Sequence, residues 1–423
     1  MKFLDDLAAR RRFGMKPGLD AIRGICAALG DPQKGFKAIH VAGTNGKGAV
    51  CAILDAALRA KSGRRTEVKG QRIGRYTSPH LVKINERFFL DGAPVEDETL
   101  ERVASIVKRT IGQSDNRTIQ DLTFFEALTA VAFLLYAEAK IDYAILECGL
   151  GGRLDATNIC DPALSVITRI GLDHCDWLGD TVEKIAAEKA GIVKPGVPVV
   201  LGRNEPSIRA VIEAKAREVG APFHYAPDLA DESEIPSSFS LAGAFNRENA
   251  LTALAVLKVL FPGDRPLESE VLQGFSQILW PGRFQRIDNL IIDGAHNPPA
   301  AWALREALEA EDFRHKTLDL ICGFCGDKDV DEVLSILSPV VRKGFAVQTN
   351  NPRSLSAEET AAKMRAAGID AEACRSFKDA RWKTKDGMTL VCGSLFLAGE
   401  TLVELGAYPW DASRFDGAEL LKV

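Results

Sequence analysis

A short apolar run, His40-Val41-Ala42, leads into Gly43-Thr44-Asn45-Gly46-Lys47-Gly48, and an apolar helical stretch over residues 50–59 follows. This strand–loop–helix context suits phosphate. Glycines let backbone N–H groups approach phosphate oxygens, a helix start adds partial positive charge, and Lys47 falls where it can bridge β- and γ-phosphates. The plainer alternative is a glycine-rich turn with no ligand. The spacing also differs from the common phosphate loop, which sets four residues between its glycines, whereas only Thr44 and Asn45 separate Gly43 from Gly46.

Four other positions carry chemistry-bearing side chains. Glu147 follows the apolar run Tyr143-Ala144-Ile145-Leu146 and precedes a glycine run, so its carboxylate falls at a strand's C-terminal end; it could equally be a solvated strand-end group. Ser78 stands before Pro79, where a turn former is ordinary. His174 lies between Asp173 and Asp176, a pattern that a surface ion pair also explains. Lys189, within Ala186-Ala187-Glu188-Lys189-Ala190, reads as an ordinary helical lysine. Cys322 and Cys325 have Cys-x-x-Cys spacing without a second pair, which argues against zinc and leaves buried thiols at a strand end as the simpler reading over a redox site.

The elements that must position these residues alternate. Strands are expected over 36–42, 73–77, 143–146, 164–168 and 197–201, with helices over 18–29, 50–59, 124–139, 181–190 and 207–219. After Trp280-Pro281-Gly282-Arg283 the alternation restarts, with strands over 290–292, 317–321, 344–348 and 388–392. Helices there are expected over 300–310, 331–341, 357–367 and 396–405. Alternation of this kind argues for mostly parallel sheets in two α/β domains, 1–283 and a smaller 284–423, with the site expected at the cleft between them. The basic segment 62–69 reads as an exposed excursion.

Bulk composition narrows the class. The chain has 423 residues, 46% hydrophobic and 26% charged, which is ordinary for a globular protein of two domains. A net charge of −5 gives no general reason to expect nucleic acid or an anionic membrane as partner. No stretch approaches the roughly 18 apolar residues of a membrane span, and the nine cysteines sit mostly in apolar segments, so a cytoplasmic protein is expected.

The loop and its preceding His40-Val41-Ala42 resemble the Mur ligase superfamily, and within it the folylpolyglutamate synthase/dihydrofolate synthase family. The resemblance extends through Tyr76-Thr77-Ser78-Pro79-His80-Leu81, Glu86-Arg87, the run from Glu147 to Asn158, Gly171-Leu172-Asp173-His174 and the run from Glu188 to Lys194. It continues in Trp280-Pro281-Gly282-Arg283, the run from Asp293 to Pro298, Asp327-Lys328-Asp329 and Gly393-Ser394. What it implies is a Mur-ligase-like α/β architecture: an N-terminal P-loop ATPase domain with a mostly parallel sheet and a smaller Rossmann-like C-terminal domain. It also implies ATP- and Mg²⁺-dependent addition of L-glutamate to folate, with or without dihydropteroate as a second acceptor, by a monomer.

The same resemblance assigns roles. Thr44, Asn45, Gly46, Lys47 and Gly48 would hold the nucleotide phosphates, with Asn249, Arg283, Asp293 and His296 as further nucleotide contacts. Ser78, Glu147 and His174 would hold Mg²⁺, and Lys189 would be carbamylated. Lys47, Lys189 and His174 would serve catalysis. Thr123, Phe124, Phe125, Glu126, Leu154, Asp155 and Ala156 would meet the folate, and Lys328 the incoming glutamate. Asn249 otherwise reads as a helix-start polar residue, and Phe124 and Phe125 as core.

Three features depart from the family pattern. Ala49 stands where a small hydroxyl residue is usual, Phe245-Asn246 stands where a His-Gln pair is usual, and the segment at 62–69 is extra. Two alternatives therefore stand beside the folate ligase: a related ligase with another acyl acceptor, and a nucleotide-binding homologue without turnover.

Overall fold

The computed structural model describes residues 18–62, 71–263, 269–310, 313, 318–384 and 387–410. From residue 63 on, the segment expected as an excursion lies outside the described residues. The chain divides into two compact units. One comprises residues 1–80, 84–240 and 248–278, and the other residues 81–83, 241–247 and 279–423.

In the first unit eight strands form one sheet. They are β1 (Lys37–Ala42), β2 (Ile73–Tyr76), β3 (Phe88–Leu90), β4 (Ala93–Pro94), β5 (Tyr143–Glu147), β6 (Pro162–Ile167), β7 (Val199–Leu201) and β8 (Phe223–Tyr225), in the order β4-β3-β2-β5-β1-β6-β7-β8. From β2 to β8 every pairing is parallel. β3 pairs antiparallel with both β2 and β4, and it forms a hairpin with β4 on one edge. Asp91 and Gly92 turn that hairpin with φ of 49° and 90°, backbone that an Asp-Gly pair accepts. β1 and β5 are almost wholly buried, which explains their largely apolar sequences.

Register decides what meets at the C-terminal edge of this sheet. Val41 pairs with Glu147, Ala42 with Ile167, and Tyr76 with Leu146. The residues that follow these strand ends, Gly43, Cys148, Thr168 and Ser78, are therefore neighbours although they are far apart in sequence.

The second unit carries a six-stranded sheet. Its strands are β9 (Gln285–Ile287), β10 (Leu290–Ile292), β11 (Leu318–Cys322), β12 (Val341–Ala346), β13 (Ala371–Ala373) and β14 (Thr389–Cys392), in the order β13-β12-β11-β14-β10-β9. All pairs are parallel except β9 with β10. The strand order reverses between β11 and β14, the topological switch at which such sheets bind ligands.

Two expected boundaries shift. The helix expected over 331–341 is Val330–Leu337, and Val341 already belongs to β12. Pro339 is the reason, because it has no N–H to continue the helical hydrogen bonds beyond Ser338, whose backbone is still helical. Asn249 does not start a helix. The helix is Ala244–Leu260, so Asn249 lies in its second turn and is no cap.

Candidate functional site

Gly43, the first residue of the loop after β1, has φ 151°, and a Cβ there would sit 1.8 Å from the Thr168 hydroxyl. Only glycine fits. Thr168 in turn donates to the carbonyl of Asn45 (2.8 Å). The N–H groups of Thr44 and Asn45 both donate to the Arg169 carbonyl (2.9 and 3.2 Å), and the Thr44 hydroxyl donates to Gly171 O (3.0 Å) and accepts from Gly171 N–H (3.1 Å). Thr44 and Asn45 thus anchor the loop. The helix Lys47–Ser62 begins next, and its first helical bond runs from Val50 N–H to Gly46 O. The N–H groups of Lys47, Gly48 and Ala49 precede that bond and have no partner within the helix, an arrangement that suits an anion. Gly46 has φ 86°, and a Cβ there would lie 2.2 Å from Asn249 Oδ1, so Asn249 sits directly against the loop.

Two lysines converge on one carbonyl. Lys47 Nζ donates to Gly43 O (3.1 Å) and Thr44 O (3.0 Å), and Lys189 Nζ donates to Gly43 O (2.7 Å). Lys189, near the end of the helix Val182–Ala190, is 3% exposed. Burial, and then the charge of Lys47, pushes its pKa down to about 7. A lysine at that value exists substantially as the neutral amine near neutral pH. Lys47, Lys189, Thr44, Cys148, Asp173 and His174 share the lining of a small cavity of about 30 Å³ with the glycines of the 149–151 turn. His174 has φ 53°, and its Nε2 lies 3.8 Å from Asp173 Oδ1.

Glu147 is 4% exposed and accepts a 2.7 Å hydrogen bond from Ser78 N–H. The structure therefore brings Ser78 and Glu147 together directly, while His174 lies with the lysines. A buried carboxylate and an adjacent hydroxyl are the hard oxygen donors that Mg²⁺ takes, with water and phosphate completing its shell. Among the described residues, no three His, Cys, Asp or Glu side chains gather as a self-sufficient metal site.

A second cavity of about 530 Å³ opens alongside. It is lined by Thr123, Phe124, Phe125 and Glu126 from one side and by the 149–156 segment from the other, with Ser78, Arg87 and Trp177 at its edges. All seven residues expected to meet folate line it. Their parts differ. Thr123 and Glu126 close a capping box at the start of the helix Phe124–Ala139, so their polar atoms are engaged in the helix end. Asp155 is buried and accepts from Leu150 N–H (2.9 Å), Thr157 N–H (3.0 Å) and the Thr157 hydroxyl, which fixes the loop. Burial holds its pKa above the ordinary carboxylate value. Phe125 is half-buried, and a Cβ on Gly149 would come within 2.6 Å of its ring. Gly152 lies against the carbonyls of Glu188 and Lys189, so the cavity wall rests on the helix that carries Lys189.

Arg87 and Trp177 were not singled out from sequence as substrate contacts. Arg87 is 5% exposed, donates from Nε to His80 Nδ1 (2.9 Å) and lies 5.7 Å from the centre of the Phe124 ring. Trp177 is 54% exposed, an unusual setting for tryptophan, and its place in Asp173-His174-Cys175-Asp176-Trp177 was the available signal.

In the second unit, Asp293 follows β10 and is 6% exposed. It accepts from the N–H groups of Phe284 (2.7 Å) and Ala295 (2.8 Å), and burial raises its pKa. His296 Nδ1 contacts Gly294 O (2.8 Å), and the Arg283 guanidinium lies near the Trp280 ring (5.9 Å). Lys328 sits half-buried in the turn before the helix Val330–Leu337. Phe245 packs edge-on against Phe284, and the Asn246 amide donates to Ala242 O (2.7 Å), so both departures serve internal packing. Burial raises the pKa of both Cys322 and Cys325, which leaves the redox reading without support.

The Mur ligase middle domain matches residues 41–257, and the Mur ligase glutamate ligase domain matches residues 282–395. The Bacillus subtilis dihydrofolate synthase/folylpolyglutamate synthase is 34% identical over 375 residues, covering 83% of this chain and 85% of the relative. The solved Mycobacterium tuberculosis folylpolyglutamate synthase complexed with ADP superposes with a TM-score of 0.86 at 29% identity, over 96% of this chain and 99% of that one. A bifunctional folylpolyglutamate synthase/dihydrofolate synthase with Mn, AMPPNP and L-glutamate bound gives 0.79 at 30% identity, over 95% and 97%. The chain belongs to the folylpolyglutamate synthase/dihydrofolate synthase family of Mur ligases, a family of ATP-dependent ligases.

Proposed function

We propose that this chain joins L-glutamate to a folate carboxylate at the expense of ATP. The observation that carries this reading is the shared wall of the two cavities. Gly149, Leu150, Gly151 and Leu178 line both the small cavity with its two lysines and the large aromatic one. An acceptor whose flat ring system packs against Phe125 would present its carboxylate across that wall to the phosphate side.

The chemistry balances without a further reactant. The folate carboxylate takes the γ-phosphoryl group, ADP leaves, and an acyl phosphate results. The amine of glutamate attacks the acyl carbon, phosphate departs, and the amine loses a proton. In the first step anions are brought together, so cationic groups must offset the repulsion. Lys47 and the N–H groups of Lys47, Gly48 and Ala49 bind and orient the phosphates, with Asn249 packed on the loop at Gly46. Ser78, Glu147 and His174 would hold Mg²⁺ together with water, and the ion would supply further charge neutralisation. Ala49 offers no hydroxyl, which leaves that ligand place to water.

Lys189 is assigned a carbamate. CO₂ adds to a neutral amine, and the pKa near 7 keeps a large share of Lys189 neutral. The amine loses a proton to solvent as the N–C bond forms, and the product is an anion beside Lys47. In the second unit, Arg283, Asp293 and His296 are assigned to the nucleotide and Lys328 to glutamate, on the family resemblance. All nine cysteines are free thiols, which supports a cytoplasmic setting. Among the described residues, no helix is long and apolar enough to cross a membrane. A monomer is proposed, which gel filtration checks.

A product assay by mass spectrometry, with ATP, Mg²⁺, glutamate and either tetrahydrofolate or dihydropteroate, tests the reading. A glutamate adduct on tetrahydrofolate alone makes it a polyglutamate synthase, and adducts on both make it bifunctional. No adduct on either, from folded protein that binds ATP, rejects the folate reading in favour of another acceptor or a nucleotide-binding homologue.

A further inference from the structure

His40 is the last polar side chain of β1 before the phosphate loop, and it is wholly buried. Its Nε2 lies 2.8 Å from Thr157 Oγ1 and 3.1 Å from Cys148 Sγ, while Nδ1 is buried without a hydrogen-bond partner. Thr157, 0% exposed, also bonds through Oγ1 to Asp155 Oδ1. Asp155 Oδ2 accepts from Leu150 N–H, which belongs to the wall shared by the two cavities. One chain of contacts thus runs from the central strand to that wall.

Hydrogen counting fixes the direction of the bonds that link Asp155, Thr157 and His40. The partners of Asp155 are backbone N–H groups and a hydroxyl, so its carboxylate acts as an acceptor throughout, as the ionised form does. Thr157 has a single hydroxyl hydrogen, and it goes to Asp155 Oδ1, the far shorter contact, rather than to Cys148 Sγ at 3.7 Å. The hydrogen in the contact with His40 must then come from Nε2. The reverse arrangement would protonate Asp155, turn Thr157 toward His40 and leave an Nδ1–H buried with no acceptor, the costlier orphan. Burial pushes the His40 pKa down to about 3, so the ring is neutral.

We infer that His40, as the neutral Nε2–H tautomer, is a positioning residue that holds Thr157 and Asp155 and through them sets the 149–151 turn against the acceptor. The inference rests on the assignment of the large cavity to the folate acceptor. It assigns His40 no contact with substrate. Loss of its Nε2 donor should therefore weaken acceptor binding while nucleotide binding stays as it was.

Two substitutions separate this from a packing role. In His40→Gln the amide nitrogen falls near the place of Nε2 and can still donate to Thr157. In His40→Asn it falls near Nδ1 and cannot. The expected result is an acceptor KM raised about fivefold or more in His40→Asn, near wild type in His40→Gln, with the ATP KM unchanged in both. Thr157→Val, which removes the linking hydroxyl at nearly constant volume, should reproduce the His40→Asn shift and serves if His40→Asn does not fold. Independently, ¹⁵N NMR of the wild-type histidine rings should show His40 protonated at Nε2. An Nδ1–H ring, equal behaviour of the Asn and Gln variants, or parallel changes in acceptor and ATP KM would overturn the inference. Wild-type turnover is the control: if it is absent, the folate reading fails; if it is present with an unchanged KM in His40→Asn and Thr157→Val, the positioning role fails.

Discussion

The two cavities share a wall and differ in nearly everything else. The small one, of about 30 Å³, is made of loop backbone and charged or polar side chains: Lys47, Lys189, His174 and Asp173 around the Gly43 carbonyl. The large one, of about 530 Å³, is made of Phe124, Phe125, Leu154 and Trp177 with Arg87 at its edge. A site of the first kind handles charge and tolerates almost no displacement, because each donor is fixed by backbone geometry. A site of the second kind gains affinity from apolar area and accepts variation in shape. On the proposed function, chemistry and recognition are separated within one unit, and changes on either side of the wall should have different signatures.

The largest expected effect is at the charged side. Lys47→Ala should lower ATP-dependent glutamate incorporation by about 1,000-fold or more while thermal unfolding barely moves, since Lys47 is half-buried at a helix start. Gly43→Ala should act through the fold instead. Its Cβ would meet the Thr168 hydroxyl at 1.8 Å in a positive-φ backbone, so a loss of about 3 kcal/mol or more is expected in urea unfolding, with ATP binding lost as well. On the aromatic side the effect is smaller and selective. Phe125→Ala should raise the acceptor KM about tenfold and leave the ATP KM alone. A matched rise in both would erase the distinction between the cavities.

Two effects concern pH. Lys189 has a folded value of about 7 against 10.5 unfolded, so between these the unfolded chain holds the extra proton and stability rises with pH. Below 7 both states are protonated and the full cost of burying the charge remains. In CO₂-free buffer, Lys189→Met should therefore exceed wild type in stability most at about pH 6–7, and the gap should close toward pH 10; a constant gap would mean the lysine is not desolvated. The smallest effect is at Glu400, a half-buried residue whose carboxyl desolvation pushes up to about 7 from 4.5. There the folded state holds the extra proton, so stability falls as pH rises from 4.5 through 7. Glu400→Gln should flatten that slope and stabilise the chain at pH 8.

Much of the charged side was legible in sequence because it is contiguous. Gly43 to Gly48 lies between a strand and a helix, and each glycine that matters is explained by a positive φ or a close contact. The convergence of Lys189 with Lys47 was not legible from spacing, since 146 residues separate Lys189 from the Gly43 carbonyl it meets. Only the register of β1 beside β5 and β6 brings those loops together. The aromatic side was visible through the family resemblance alone, because Phe124 and Phe125 open an apolar helix and read as core. Thr123-x-x-Glu126 is a capping-box pattern that local reasoning could have used, and Asp91-Gly92 was a hairpin signal. Trp177 and Arg87 could be placed only once the sheet was known. Asn249 was misread as a helix start because the polar residues Asn246, Arg247 and Glu248 interrupt the apolar pattern of a helix that already runs from Ala244.

The most direct test of the account is isotope transfer in the complete reaction. Tetrahydrofolate labelled with ¹⁸O in the acceptor carboxylate, incubated with the protein, ATP, Mg²⁺ and glutamate, should yield a glutamate adduct and phosphate carrying one ¹⁸O per adduct formed. That result shows that the acceptor carboxylate takes the γ-phosphoryl group before the amine attacks. Phosphate released without label, or ATP hydrolysed without adduct, would contradict it.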